Sequence, residues 1–285
     1  MKIEGSTSEF RDNWKNREET EYSHFTKSVP ENQIQLAFRN HWKTWKKVFP
    51  ELSSPGKVLE VGSGRGTLSM YFSQNGWDTT ILDLVPDILD HAKRQFADHS
   101  LDVNAIVADC LEMPVPDGTY DVVFSVGLLE HFSQPELVLR EQVRVLAPGG
   151  LLIGYVVPEP SSHCVQNSYE WVNDLLRSLM EKNSGREVSN PKSDVYRSDF
   201  RADYYSQILS DLACIEVGSS GTYPLPMISW STEFPFTLLP DNAELALTSH
   251  LQNLLDARAE NGSEHPWLCD EELGQAFLVW GRKAT

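Results

Sequence analysis

Positive charge is what this 285-residue chain has least of: 24 lysines and arginines stand against 41 aspartates and glutamates, a formal charge of −17. A surface so acidic opposes a phosphate backbone, whose binding depends on lysine and arginine, so no nucleic-acid partner is expected. Long apolar runs are missing too. No stretch approaches the ~20 consecutive apolar residues that a membrane span requires, and Met1-Lys2-Ile3-Glu4-Gly5 leads into no apolar core of a secretory signal. Cysteine is scarce: Cys110, Cys164, Cys214 and Cys269 lie in unrelated segments, without the paired spacing of a metal site. They read as free thiols in a cytoplasmic protein, and no metal is expected. Repeats and low-complexity tracts are absent. An apolar content of 40% remains, enough for a real core, and the length suits one α/β domain with additions.

The richest stretch runs from Lys57 to Leu68. Val58-Leu59-Glu60-Val61 has strand character, Gly62-Ser63-Gly64-Arg65-Gly66 is a glycine turn, and Thr67 to Phe72 continues as a helix that Gly76 can end in a left-handed conformation. Such a strand–turn–helix presents outward-pointing backbone N–H groups and lets a ligand approach residues without Cβ. The dinucleotide fingerprint G-x-G-x-x-G needs glycine where this chain has Thr67. Glu60 at the strand end would repel a pyrophosphate and attract a cationic ammonium or sulfonium ligand. Twenty-three residues later, Asp83 closes a second apolar run, Thr79-Thr80-Ile81-Leu82, where a nucleoside ribose is gripped by its paired hydroxyls. Taken alone each feature is an ordinary turn or cap; together they describe a nucleoside site.

In its motifs the sequence resembles the class I S-adenosylmethionine-dependent methyltransferases, especially the small-molecule branch. The likeness extends from Val58 to about Val157: Leu59-Glu60-Val61-Gly62-Ser63-Gly64-Arg65-Gly66, Asp83-Leu84-Val85-Pro86, Ala108-Asp109-Cys110, Tyr120 to Ser125 with Glu130-His131, and Val145 to Gly150. The resemblance implies S-adenosylmethionine as cofactor and S-adenosylhomocysteine as product. It implies that Gly62, Ser63 and Gly64 pass under the methionine part, with Glu60 near its ammonium. Asp83 would take both ribose hydroxyls, Leu84 would pack on the adenine face, and Asp109 would accept from the adenine amino group. The Cys110 backbone N–H would meet a ring nitrogen, and Val126 would line the methionine end.

The implied fold is α/β: a Rossmann-like, seven-stranded, mostly parallel sheet with an antiparallel last strand, a helical N-terminal extension and lid insertions. Strand–helix alternation supports it independently, and Glu60, Asp83, Asp109 and Val126 all fall at the carboxyl ends of expected strands, where such sheets bind ligands. The organisation reads as an N-terminal helical arm over 1–50, a cofactor-binding core over 51–160, a lid insertion over 161–195, and completion of the sheet over 196–285. The last part carries an aromatic-rich insertion at about 219–274. Ile34, Leu36, Phe38, Trp42, Trp45 and Phe49 predict a helix over 31–49, with Pro30 in its first turn and Pro50 ending it. Tyr22 is the arm's candidate to touch the cofactor. Ser133-Gln134-Pro135-Glu136 reads as a capping box before a helix through Val145. An amphipathic helix is expected over 169–180, with an exposed stretch after it.

Methyl transfer from a sulfonium needs alignment and exclusion of water, and a base only where the acceptor has a proton to lose. His131, just past the fourth strand, is the candidate for that part, with Glu130 to orient it and His163 as a second candidate. The walls over 161–195 and 219–274, rich in Tyr223, Met227, Trp230, Phe234, Phe236 and Trp267, suit an apolar or aromatic small-molecule acceptor; alternatively they cover sheet edges or a dimer interface. Two other functions fit less well. A non-catalytic S-adenosylmethionine-binding module has the intact turn and acids against it, and a nicotinamide-dependent oxidoreductase is opposed by Thr67. The same-fold aminopropyl transferases need an acidic motif that Asp109-Cys110 does not supply.

Overall fold

The computed structural model describes residues 24–159, 171, 175, 196–226 and 241–285. Eight strands form in them: β1 (Lys57–Val61), β2 (Asp78–Asp83), β3 (Asn104–Val107), β4 (Tyr120–Val126), β5 (Leu146–Val156), β6 (Cys214–Thr222), β7 (Leu268–Cys269) and β8 (Ala276–Lys283). They make one sheet in the order β3-β2-β1-β4-β5-β8-β6-β7. β1 to β5 pair in parallel, while β8 runs antiparallel to both β5 and β6. The order reverses at β1 and β4, so a crevice opens at their carboxyl ends. β7 is a two-residue addition to the seven strands expected, paired with the end of β6.

Alternate strand residues point to opposite faces, and both faces are covered, as a parallel sheet requires. On one side α1 (Gln33–Val48), α2 (Thr67–Gln74) and α3 (Pro86–Asp98) bring Trp42, Trp45, Phe72 and Phe96 onto Val58, Val122, Phe124, Ile153 and Leu278. On the other, α4 (Pro135–Val145) and α5 (Ala202–Asp211) bring Val138, Leu139, Tyr205 and Leu209 onto Leu59, Val61, Val123, Leu152 and Val279. A third, smaller cluster joins α1 to α6 (Asp241–Glu260) through Leu36, Leu251, Leu255 and Trp267. Burying each such side chain contributes roughly 1.5–3 kcal/mol, so α1 is an integral layer of the core.

Several local expectations are corrected. α1 is capped by Asn32, whose side chain accepts from the Gln35 N–H at 2.9 Å, so Pro30 lies before the helix rather than in its first turn. Pro50 opens a 3₁₀ turn, Pro50–Ser53. α4 has Gln134, not Ser133, at its cap position, and Gln134 makes no side-chain capping bond. Gly76 ends α2 as expected (φ +86°), and the Trp77 N–H reaches back to the Phe72 carbonyl at 3.2 Å while their rings pack edge to face. β5 begins at Leu146, earlier than Leu151, and Pro148-Gly149-Gly150 forms an irregularity against β4 where a Cβ on Gly150 would sit 2.8–2.9 Å from two backbone carbonyls. Cys110, Cys214 and Cys269 are not joined in disulfides. Tyr22, His163, Cys164, the 169–180 helix except positions 171 and 175, the rest of the 161–195 lid, and Met227, Trp230, Phe234 and Phe236 lie outside the described residues.

Candidate cofactor and acceptor site

The glycine turn leaves β1 with all three of its glycines left-handed: φ is +66° at Gly62, +51° at Gly64 and +67° at Gly66. That succession is strained for any residue with a Cβ. Two of the glycines also answer a shortage of space. A Cβ on Gly62 would lie 2.7 Å from Leu128, whose side chain leans over the turn, and one on Gly66 would press on Phe96 at 3.2 Å where α2 meets α3. The turn's amides are largely committed within the protein. Ser63 N–H donates to Leu82 O (3.0 Å), Gly66 N–H to Ser63 O (2.8 Å), and Gly64 N–H to Asp83 Oδ2 (2.9 Å). This corrects the expectation that these N–H groups point outward: the turn is tight enough to bond itself, and what it offers a ligand is bare Cα surface.

Asp83, at the end of β2, holds that turn in place. Its Oδ1 accepts from the Val85 N–H at 3.0 Å and its Oδ2 from the Gly64 N–H, with the Leu84 N–H a third backbone donor to the carboxyl. Burial pushes its carboxyl above the ordinary range, against the pull of these backbone donors. Beside it Ser63 Oγ is buried and, among the described residues, has no hydrogen-bond partner. Glu60 points to the α2 side of β1. Its Oε2 accepts from Ser69 Oγ (2.5 Å) and Ser69 N–H (3.3 Å), and burial pushes its pKa up to about 8. Around the corner, Leu84 is 38% exposed and Asp109 is exposed with Oδ1 fixed by the Leu111 N–H at 2.9 Å. Cys110 turns its side chain into the core beneath β1 and β2, and burial raises its thiol pKa. These residues suit an adenosyl ligand with an amino-acid tail: paired acceptors for two hydroxyls, an apolar surface for a base, a carboxylate for its amino group, and an orphaned hydroxyl.

Past β4 the chain bends at Gly127 (φ +64°) into a 3₁₀ turn, Leu129–His131. Val126 lies opposite Tyr155 in the β4–β5 register, on the same face as Glu60. His131 is buried; Nδ1 lies 2.7 Å from the Tyr196 carbonyl and Nε2 3.8 Å from Glu130 Oε1. Since a carbonyl only accepts, Nδ1 carries the proton of that bond. Burial lowers the His131 pKa to about 4, so the ring is neutral at pH 7. Glu130 is also buried, its pKa raised to about 7 by desolvation, and its Oε2 has no partner among the described residues. Its neighbourhood includes Tyr155, whose own pKa burial and Glu130 both raise.

Three residues near this mouth were absent from the sequence reading: His41, Ser69 and, as a site residue, Tyr155. Tyr155 sits two places after Ile153 on one face of β5, and His41 lies four places before Trp45 on α1. Periodicity marks both as inward-facing positions, and nothing in the sequence says that α1 passes over the end of β5.

Comparisons with known proteins follow this geometry. A methyltransferase-domain family model matches residues 59–154. A demethylmenaquinone methyltransferase of Deinococcus radiodurans is 32% identical over 166 residues, 56% of this chain and 69% of the relative. One from Thermus thermophilus is 31% identical over 121 residues, 41% of this chain and 55% of the relative. The matched region thus spans between about half and two thirds of these curated relatives. Among solved structures, a SAM-dependent methyltransferase of Thermotoga maritima superposes with a TM-score of 0.53 at 16% identity, covering 87% of this chain and 90% of that one, a likeness of fold. With the glycine turn, the two acids and the strand order already in place, the chain belongs to the class I S-adenosylmethionine-dependent methyltransferase family.

Proposed function

We propose that this protein transfers a methyl group from S-adenosylmethionine to an O, N or C atom of an apolar or aromatic small molecule. The observation that carries the reading is the left-handed glycine turn fastened to Asp83 at the switch point of the sheet. When bound, the cofactor supplies an electrophilic methyl on a sulfonium that departs without a protein acid. The protein's part is therefore to bind, align and exclude water. Asp83 holds the ribose hydroxyls, Glu60 meets the ammonium, and Leu84, Asp109 and the Cys110 backbone frame the adenine. Gly62, Ser63 and Gly64 pass beneath the tail, and Val126 faces the methyl.

For an acceptor with a proton to lose, Glu130 is the better-matched base, because a pKa near 7 suits proton transfer at neutral pH and a pKa near 4 does not. His131 serves by position: its bond to Tyr196 and the Ser198 N–H to Glu130 O bond (2.8 Å) hold residues 196–198 against the 3₁₀ turn. His131→Ala is expected to lower turnover and leave cofactor affinity intact. The acidic surface fits a cytoplasmic enzyme without nucleic-acid or membrane partners; among the described residues no helix is long and apolar enough to cross a membrane.

Calorimetry tests the site. S-adenosylhomocysteine should bind in the micromolar range, and Asp83→Ala or Gly64→Val should weaken it at least about tenfold, the loss of one charge-assisted contact or of the turn's geometry. Unchanged affinity in both variants would refute the assignment.

A further inference from the structure

Beyond Val126, on the same face of the sheet, three polar side chains gather about the His41–Trp267 pair. His41 of α1 stands edge to face on Tyr155 of β5, with ring centroids 4.5 Å apart, and on Trp267, 5.1 Å away. Tyr223, just past β6, packs on the other part of Trp267 at 4.7 Å. The Trp267 indole N–H donates to His41 Nδ1 at 2.9 Å. An indole can only donate, so the neutral imidazole must carry its own proton on Nε2. Among the described residues the Tyr223 hydroxyl is fully buried and unpaired. His41 is 4% exposed and Tyr223 3%.

Packing alone does not account for this set. Phenylalanine would fill the space of Tyr223 without leaving a buried hydroxyl unsatisfied, and an unpaired buried polar group is a net cost to the fold. A preassembled cluster that is costly when empty is what a binding site for the missing partner requires. All three groups are donors when neutral. Burial holds both tyrosines protonated and lowers the His41 pKa to about 3, so none of them changes state in the working range. Neutral donors suit an oxygen acceptor, and their walls are aromatic rings: Trp267, Tyr155 and, edge on to His41, Phe38. Tyr155 lies directly across from Val126, so whatever the cluster holds adjoins the methyl-transferring end.

We propose that His41, Tyr155 and Tyr223 form a subsite for an oxygen atom of the acceptor, a carbonyl or hydroxyl borne by an aromatic ring. This rests on the methyl-transfer reading above and gives it a substrate class: a ring-oxygenated aromatic whose oxygen is held by three donors while a ring or heteroatom position faces Val126.

A matched pair of probes tests it. Wild-type protein saturated with S-adenosylhomocysteine is titrated with 2-naphthol and with naphthalene, following tryptophan fluorescence. The naphthol is expected to bind at least about tenfold more tightly, the worth of one to two hydrogen bonds. The Tyr155→Phe/Tyr223→Phe double variant should bind S-adenosylhomocysteine within twofold of wild type and lose the preference. In the empty protein Tyr223→Phe alone should raise the Tm by about 2–4 °C, since it removes an unsatisfied hydroxyl. Equal binding of the two probes to wild type, binding of neither, or a preference that survives in the double variant overturns the subsite. Failure of wild type to bind S-adenosylhomocysteine at all would instead overturn the methyl-transfer reading.

Discussion

At Glu60 a single carboxyl has to do opposite things in the empty and loaded protein. Empty, its pKa of about 8 leaves it mostly protonated at pH 7, bonded to Ser69. A ligand ammonium favours the ionised form, so binding should expel a proton. Calorimetry at pH 6–7 in buffers of different ionisation enthalpy is expected to show about one proton released per cofactor bound. Affinity should climb as pH rises toward 8, then fall at higher pH as the ligand's own α-amino group loses its charge. Glu60→Gln should abolish both the proton release and the rising limb. Proton uptake instead of release would show that the ammonium is met by some other group. The sequence marked Glu60 as the acid before the turn; its partner Ser69, nine residues away and in the first turn of α2, was invisible because a serine in a helix carries no signal of what it bonds.

The two ends of α2 separate what glycine does for the fold from what it does for the site. Gly76 at the C-terminus needs a positive φ, but a Cβ there would meet only Pro55 at a comfortable 3.6 Å. Gly76→Ala is therefore expected to cost about 1–2 kcal/mol of stability with cofactor affinity unchanged. Gly66 at the N-terminus has the same φ requirement and, in addition, Phe96 at 3.2 Å. Gly66→Ala should push α2 from α3, carrying the turn and Ser69 with it, and so weaken cofactor binding as well as stability. Denaturant unfolding and calorimetry on the pair check the contrast; equal affinity losses at both ends would show that α2 transmits strain along its length. At this scale the sequence was most legible. The five parallel strands from Lys57 to Val156 were readable because all but β3 are largely buried and the helices between them open or close on glycine or proline. α6 was not foreseen, although Leu247, Leu251, Leu254 and Leu255 follow the i, i+4, i+7, i+8 spacing of one helix face and Pro240 before it and Gly262 after it were available as boundary signals. The donor cluster was unreadable for a different reason. His41 and Trp267 are 226 residues apart, and only the packing of α1 across the end of β5 brings them together.

Over the whole molecule, buried ionisable groups of both kinds are held neutral, and their opposed effects set how stability depends on pH. His41 and His131 have folded pKa values of about 3 and 4, and burial holds His24 well below its usual value too. Unfolded, each would titrate near 6.5. Their contribution is therefore present above pH 6.5 and is lost as acid protonates the unfolded chain first. Glu60 and Glu130, at about 8 and 7, behave in the reverse sense. Below the unfolded value near 4.3 they cost nothing; above it the unfolded state ionises while the native state holds its protons, and stability falls until pH passes 7 and then 8. Between about pH 4.5 and 6.5 the three histidines outweigh the two glutamates, so stability still rises with pH. Above 6.5 the histidine contribution levels off and the glutamates alone change stability, each at up to about 1.4 kcal/mol per pH unit. The empty protein should thus be most stable near pH 6.5 and lose Tm from there to pH 8, with the acidic surface's self-repulsion acting in the same direction. Scanning calorimetry of wild type, Glu60→Gln and Glu130→Gln between pH 5 and 9 checks this. Each substitution should flatten its share of the alkaline fall, and saturating S-adenosylhomocysteine should remove the Glu60 share in wild type, because the bound ammonium lets that carboxyl ionise in the native state. If both variants keep the wild-type slope, the two carboxyls are ionised in the free protein, and the proton release argued for Glu60 fails with them.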